Sequence, residues 1–471
     1  MQFDSVDFIL GFILVYALYL LLPHRPQNGM LLVASYVFYG WTDWRFLLLL
    51  GFTTCWDFWL ALRIAEAQRR GESGRQWLTL AIASNLLVLG FFKYFDFFST
   101  SFAGAAASLG IQVPTVVFDI VLPAGISFYS FQSMAYTIDV YRRRATASTN
   151  LIDYALFISF FPQLVAGPIE RARRLLPQIA SPRRITEQQL LDGAWFLFWG
   201  FFKKVFIADN LAGYIDVYAD PTVSPYGVDA ALYGLVFLIY VYADFSGYSD
   251  MAVGLGKLMG IEFTLNFRRP LWAASPAEFW RRWHITLTGW FRDYVYAIAR
   301  RDDPLSKAMA IVPTMMLVGL WHGAGWNFVI WGTIWGLVMF LERLLQPAFA
   351  SRAWRGLGTP ALRALGGVAL VLGIHAVANQ FFARPAADAV AALRLMATTP
   401  AASPHFLTDL NAIAWFIAPL VIVEAIQART GFLDGRLRIP LPARACLYSV
   451  LAAFLVLGAS TYDYEFYYFR F

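Results

Sequence analysis

The stretch Gly319-Leu320-Trp321-His322-Gly323-Ala324-Gly325-Trp326 lies inside a run of 34 residues, from Lys307 to Glu342, that holds no Asp, Glu, Lys or Arg. About 20 apolar residues span a bilayer core. The run therefore exceeds one crossing and places His322, its one side chain that titrates near neutral pH, in the membrane. An ionisable group at that depth is expensive to hold, and by default it faces a cavity or a pathway. Two indoles and two glycines surround it, and the glycines let another backbone or a ligand approach closely. A purely structural imidazole is the bland alternative, and the motif around His322 weighs against it.

The rest of the composition agrees. With 59% apolar and 14% charged residues, the 471-residue chain would expose a large greasy surface in water, so the expected fold class is an all-α polytopic integral membrane protein. The net charge of +6 resides in short arginine-rich loops, a pattern that encodes orientation in a membrane and argues against nucleic acid as a partner. Cys55 and Cys446 have no paired spacing. Residues 1–7 are acidic where a secretory signal is basic, so the first apolar stretch is expected to remain as a span.

Apolar stretches of spanning length fall near 6–22, 28–41, 46–62, 77–98, 115–140, 189–208, 227–255, 308–322, 326–345, 362–382, 410–427 and 442–460. With the N-terminus extracytoplasmic, His24 and Arg25, the Arg63–Arg75 cluster, Arg142 to Arg144 and the basic stretch 171–184 all fall on the cytoplasmic side. Residues 157–170 make only half a crossing and carry Pro162, Gly167 and Pro168, which predicts a re-entrant turn. No internal repeat or soluble insert appears, and residues 1–471 read as one integral domain.

Ser275-Pro276-Ala277-Glu278 supplies an N-cap, a first-turn proline and a capping-box acid, and so predicts a helix start. Helical spacing then puts Phe279, Trp283, Trp290 and Tyr294 on one face and Arg281, His284, Thr288 and Arg292 on another. Such a helix suits the membrane interface, with its arginines among lipid headgroups. Its arginines, with Arg268 and Arg269, equally suit the phosphates of a nucleotide-bearing donor. Asp244 and Tyr248, four residues apart in an apolar span, share a face and are expected either to form a structural pair or to line a substrate path. Neither histidine has cysteines or carboxylates at ligand spacing, so no metal site is expected.

Several motifs together resemble the membrane-bound O-acyltransferase (MBOAT) family. They are Phe279-Trp280-Arg281-Arg282-Trp283-His284, Gly319-Leu320-Trp321-His322-Gly323-Ala324, Asp244-Phe245-Ser246-Gly247-Tyr248-Ser249-Asp250, Gly125-Ile126-Ser127-Phe128-Tyr129 through Asp139-Val140-Tyr141-Arg142, and Ala166-Gly167-Pro168. The core motifs fall within residues 120–345, and the helices of 346–471 are less typical. Phe381-Phe382-Ala383-Arg384 and the terminal Tyr468-Phe469-Arg470-Phe471 depart from the family's usual wording.

The resemblance implies a bundle of 11–12 transmembrane helices, with re-entrant and interfacial helices, around a central funnel. It implies catalytic roles for His322 and His284. On the residues themselves, Arg268, Arg269, Arg281 and Arg282 are expected to bind the donor, and Trp321, Trp326, Asn327, Asp244 and Tyr248 to line the substrate path. The implied reaction takes an acetyl group from a cytoplasmic donor, acetyl-coenzyme A as co-substrate with no permanently bound cofactor, toward an exported polysaccharide such as alginate or cellulose. The implied setting is the bacterial inner membrane, with extracytoplasmic acetyltransferases and polysaccharide synthesis or export proteins as partners.

The chemistry stands beside the resemblance. A hydroxyl attacks a thioester well only if something accepts its proton as the bond forms, and a neutral imidazole does this. The competing reading is a transporter or flippase that uses Asp244, His284 and His322 as a proton relay, or D-alanyl-type transfer to a cell-wall polymer. A purely structural scaffold would tolerate loss of both histidines.

Arginine placement predicts that residues 63–75 and 142–150 are cytoplasmic and that residues 209–226, which carry Asp209, Asp216 and Asp220 without Lys or Arg, are outside. Single-cysteine labelling with an impermeant reagent should mark only the last segment from outside. Labelling of the first two from outside reverses the orientation.

Overall fold

The structure is a computed structural model that describes residues 2–118, 120–219, 225–349, 359–431, 433, 435–460 and 464–467. Asp220 and the Tyr468–Phe471 motif lie outside the described residues. Within them the regular structure is helical throughout, and eight helices are long and apolar enough to cross a membrane. The expected 11–12 counts shorter helices too, such as Val6–Leu21, His24–Gly40 and Ile126–Tyr141. Outward faces are apolar, as lipid requires, with Leu10, Leu14, Leu87 and Leu457 exposed.

The contacts gather into two compact units. The first comprises residues 1–194 with 251–264, and the second residues 195–250 with 265–470.

In the first unit, Arg183 donates to Tyr19 and Asn28, while Asn28 donates to Asp153 (2.8 Å) and to the carbonyl of Ile179 (2.9 Å). The half-crossing at 157–170 is a broken helix. Leu151–Ser159 ends at Phe160, and the short turn Phe161–Leu164 follows. The freed backbone groups find partners in the Ser35 hydroxyl, which accepts from Phe161 N (3.1 Å), and in Gln163, which donates to Phe157 O. Within the apolar stretch 115–140 a helix starts at Ile126, preceded by Gly125 at φ 72°, where a side chain would meet Leu164 O at 2.7 Å. Arg69, Arg143, Arg144 and Arg173, drawn from three basic loops, line one surface groove of about 1050 Å³.

In the second unit, a π-helical turn, Lys203–Ala208, buries two successive lysines. Lys203 donates to Ser246 and Asp250, both at 2.8 Å. Lys204 donates to Asp209 (2.8 Å) and to Tyr464 O (2.7 Å), and lies 3.3 Å from Asp244. Asp244 also accepts from the backbone N–H of Tyr467 at 2.8 Å. Asp244 is thus held by partners from distant segments, and Tyr248 stacks on Phe466 at 4.8 Å.

The helices Ile311–His322 and Trp326–Phe349 form a tight hairpin. Gly319 and Gly332 make it possible: a Cβ on Gly319 would meet Phe328 O at 2.1 Å, and one on Gly332 would meet Met315 O at 2.2 Å. Close backbone approach through small residues is the usual basis of helix association in lipid.

Gly332→Ala should lower stability by about 1–3 kcal/mol through overpacking, while Gly366→Ala, where nothing lies within 4 Å, should be neutral in the same thermal-unfolding assay. Lys204→Met, which removes the ammonium that Asp209 and Asp244 share, should cost about 3–5 kcal/mol, read as a fall in thermal midpoint and membrane yield.

Candidate active site

His322 is the last residue of its helix. Gly323 leaves it in an extended conformation, φ −161° and ψ 149°, and the chain reverses through Gly325 into the next helix. Any side chain on Gly323 would collide with the Phe328 ring, so glycine is what allows the reversal to close over the histidine. The imidazole is 2% exposed. Around it stand Trp321, Trp331 and Phe382, with ring centroids at 5.0, 5.3 and 5.0 Å. It lines a small cavity of about 20 Å³, room for one water-sized group.

His284 reaches its position by a different route. The helix predicted to continue from Pro276 past Tyr294 instead stops at Arg282, and Ile285–Phe291 forms a second helix. Trp283 is extended and His284 is left-handed, at φ 39° and ψ 57°. The break is held by backbone pairing with an upstream segment: Arg268 N donates to Arg282 O, and Ile285 N to Asn266 O, both at 2.9 Å. Asn266 also accepts from Thr286 (2.6 Å) and donates to Ser249 (3.2 Å). The N-cap itself forms as the sequence predicts, with Ser275 Oγ accepting from Glu278 N.

The break turns His284 inward, where it is 1% exposed and meets Phe245 edge-on at 4.6 Å. Burial pushes its imidazole down to about 3, so the ring is neutral at physiological pH. Trp321 touches both imidazoles, at 5.7 Å from His284 and 5.0 Å from His322. Phe245 follows Asp244 on one helix. That motif thus serves the lysine network through its carboxylates and the His284 ring through its phenyl group.

The other predicted residues divide. Asn327 donates to Phe381 O at 3.1 Å and ties the hairpin turn to the helix Pro360–Ala383. Trp326 is 59% exposed. Of the four arginines, Arg268 and Arg281 are exposed, Arg269 is left-handed and half-buried, and Arg282 is engaged by Glu278 and by Arg269 O. The carboxylate of Glu278, one turn back, holds the Arg282 guanidinium, while that of Arg281 faces outward. Sequence reasoning passed over His375, buried on the helix Pro360–Ala383 and lining the same cavity as His322. A signal was available: His375 is the one titratable side chain between Arg363 and Arg384.

The chain matches the model of the membrane-bound O-acyltransferase family over residues 130–355. It is 44% identical over 363 residues to the probable alginate O-acetylase of Azotobacter vinelandii, a match covering 76% of this chain and 72% of that protein. It is 34% identical over 380 residues to the peptidoglycan O-acetyltransferase of Helicobacter pylori, covering 74% and 71%. It is 27% identical over 269 residues to the teichoic acid D-alanyltransferase of Bacillus subtilis, covering 55% and 67%. A polytopic helical chain with these motifs and these relatives belongs to the membrane-bound O-acyltransferase family and is an O-acyltransferase.

Proposed function

We propose that the protein moves an acetyl group from a cytoplasmic thioester donor, acetyl-coenzyme A, toward hydroxyls of an exported polysaccharide of the alginate type, directly or through an extracytoplasmic acetyltransferase partner. The observation that carries this reading is His322 itself, a buried imidazole on a small cavity, separated from a second buried imidazole by one indole. In the step proposed, the acceptor oxygen attacks the thioester carbonyl while His322 takes the hydroxyl proton. The C–O bond forms, the C–S bond breaks, and the proton passes to the departing thiolate.

Acetyl rather than D-alanyl transfer is favoured by the relatives' names, since the O-acetylase is matched at 44% identity and the D-alanyltransferase at 27%. The exposed guanidiniums of Arg268 and Arg281 suit the donor's phosphates as screened surface contacts. They would contribute to donor KM more than to kcat, because phosphate binding is the same in ground and transition states.

His322→Ala should lower acetyl transfer by about 10²–10⁴-fold or more while the protein reaches the membrane at normal abundance. Acetyl content on the polymer, measured beside protein yield, checks this, and wild-type acetylation from the variant rejects the assignment.

A further inference from the structure

The cavity beside His322 carries a set of polar atoms that the reaction as written leaves unused. Asn379 Nδ2 lies 3.0 Å from Gly234 O, and a carbonyl can only accept, so that atom is the amide nitrogen and donates. Its Oδ1 then faces His375 Nδ1 at 3.4 Å. An amide oxygen also only accepts, so Nδ1 carries the proton, and a neutral ring keeps its lone pair on Nε2. Among the described residues Nε2 of His375 makes no hydrogen bond, nor do the indole N–H groups of Trp280 and Trp331. All three residues line the cavity with His322 and Asn379.

These atoms specify their ligand. Indole N–H groups only donate and Nε2 of this tautomer only accepts, so one group that satisfies both kinds must accept and donate together. A carbonyl would leave Nε2 unmet, and an ammonium would leave the indoles unmet. The volume of about 20 Å³ admits a single water-sized group, and a buried water settles where two to four polar partners converge. Phe279 and Trp335, with centroids 4.4 and 4.6 Å from His375, fix the ring that would receive its proton.

We propose that this cavity holds one water through which His375 and Asn379 set the tautomer of His322. The water's two lone pairs accept a ring N–H of His322 and one of the indole N–H groups, and the chain of donors then runs in one direction: His322 to the water, the water to His375 Nε2, His375 Nδ1 to Asn379, and Asn379 to the Gly234 carbonyl. With one nitrogen of His322 committed as donor, the other bears the lone pair that receives the acceptor's proton. His375 is thus a positioning residue that acts through His322. No atom is consumed, and in the ground state no proton is transferred along the chain. The proposal rests on His322 being the base.

The test uses the full-length protein in membranes. His375→Phe keeps an aromatic ring between Phe279 and Trp335 but removes Nε2, and His375→Gln restores an accepting atom. His375→Phe should lower kcat by roughly 10²-fold with donor KM within about two-fold, as expected of loss confined to the transition state. His375→Gln should recover part of the rate. Nitrogen-15 spectra of histidine-labelled protein, with His322 assigned by its loss in His322→Ala, should show one tautomer for His322 in the wild type and a mixture in His375→Phe.

Unchanged turnover with an unchanged tautomer overturns the proposal. So does lost turnover with the tautomer intact, which would make His375 a core residue. Should His375→Phe fail to accumulate in the membrane, Asn379→Leu, which leaves the ring in place but frees its proton position, is read by the same two measurements. If His322→Ala keeps its activity, the assignment of the base fails, while the spectra still report on the tautomer chain.

Discussion

A polar group sealed among apolar helices is costly unless a partner is built for it, and the features that matter in this chain follow from that constraint. The Phe160 break, buried among apolar side chains, is tolerated because a serine from another helix and a glutamine from its own turn take up the freed backbone groups. Two lysines turn inward because three carboxylates and a serine meet them there. Where backbone must pass close to backbone, glycine removes the obstacle, and the hairpin that carries His322 closes through Gly319, Gly323 and Gly332.

Two imidazoles are brought to Trp321 by unlike means. His322 sits at a helix end that glycines allow to reverse, whereas His284 sits at a left-handed break held by pairing with residues 266–268. A left-handed non-glycine residue is strained, and such strain persists only where the surroundings impose it, most often at functional sites. The acyltransferase assignment thus rests on family membership, and the geometry explains how a family motif places its residues.

Much of this was legible in the sequence, for reasons that also define its limits. His322 stands out because it is a lone imidazole in a charge-free run, and the helix at Pro276 because Ser275 and Glu278 announce it. Its break at Trp283–His284 was not legible, since the local periodicity continues and the pairing partners lie 14 and 19 residues upstream. Asp244 meets Lys204, forty positions away, a partner that helical spacing does not reveal. The sequence also does not show that Glu278, one turn away, pairs with Arg282. His375 carried the same signal as His322, an imidazole in a charge-free stretch, but without flanking glycines and tryptophans it did not stand out.

The central claim is that this membrane domain transfers an acyl group rather than carrying a solute across. The most direct test reconstitutes the purified protein in sealed vesicles with its acceptor system inside and a thioester labelled in its acetyl carbon outside, and then follows where the label goes. Label in an ester that mild base releases, absent with His322→Ala, is the predicted result. Label that accumulates inside as free acetate or intact donor, with no ester formed, would contradict the account.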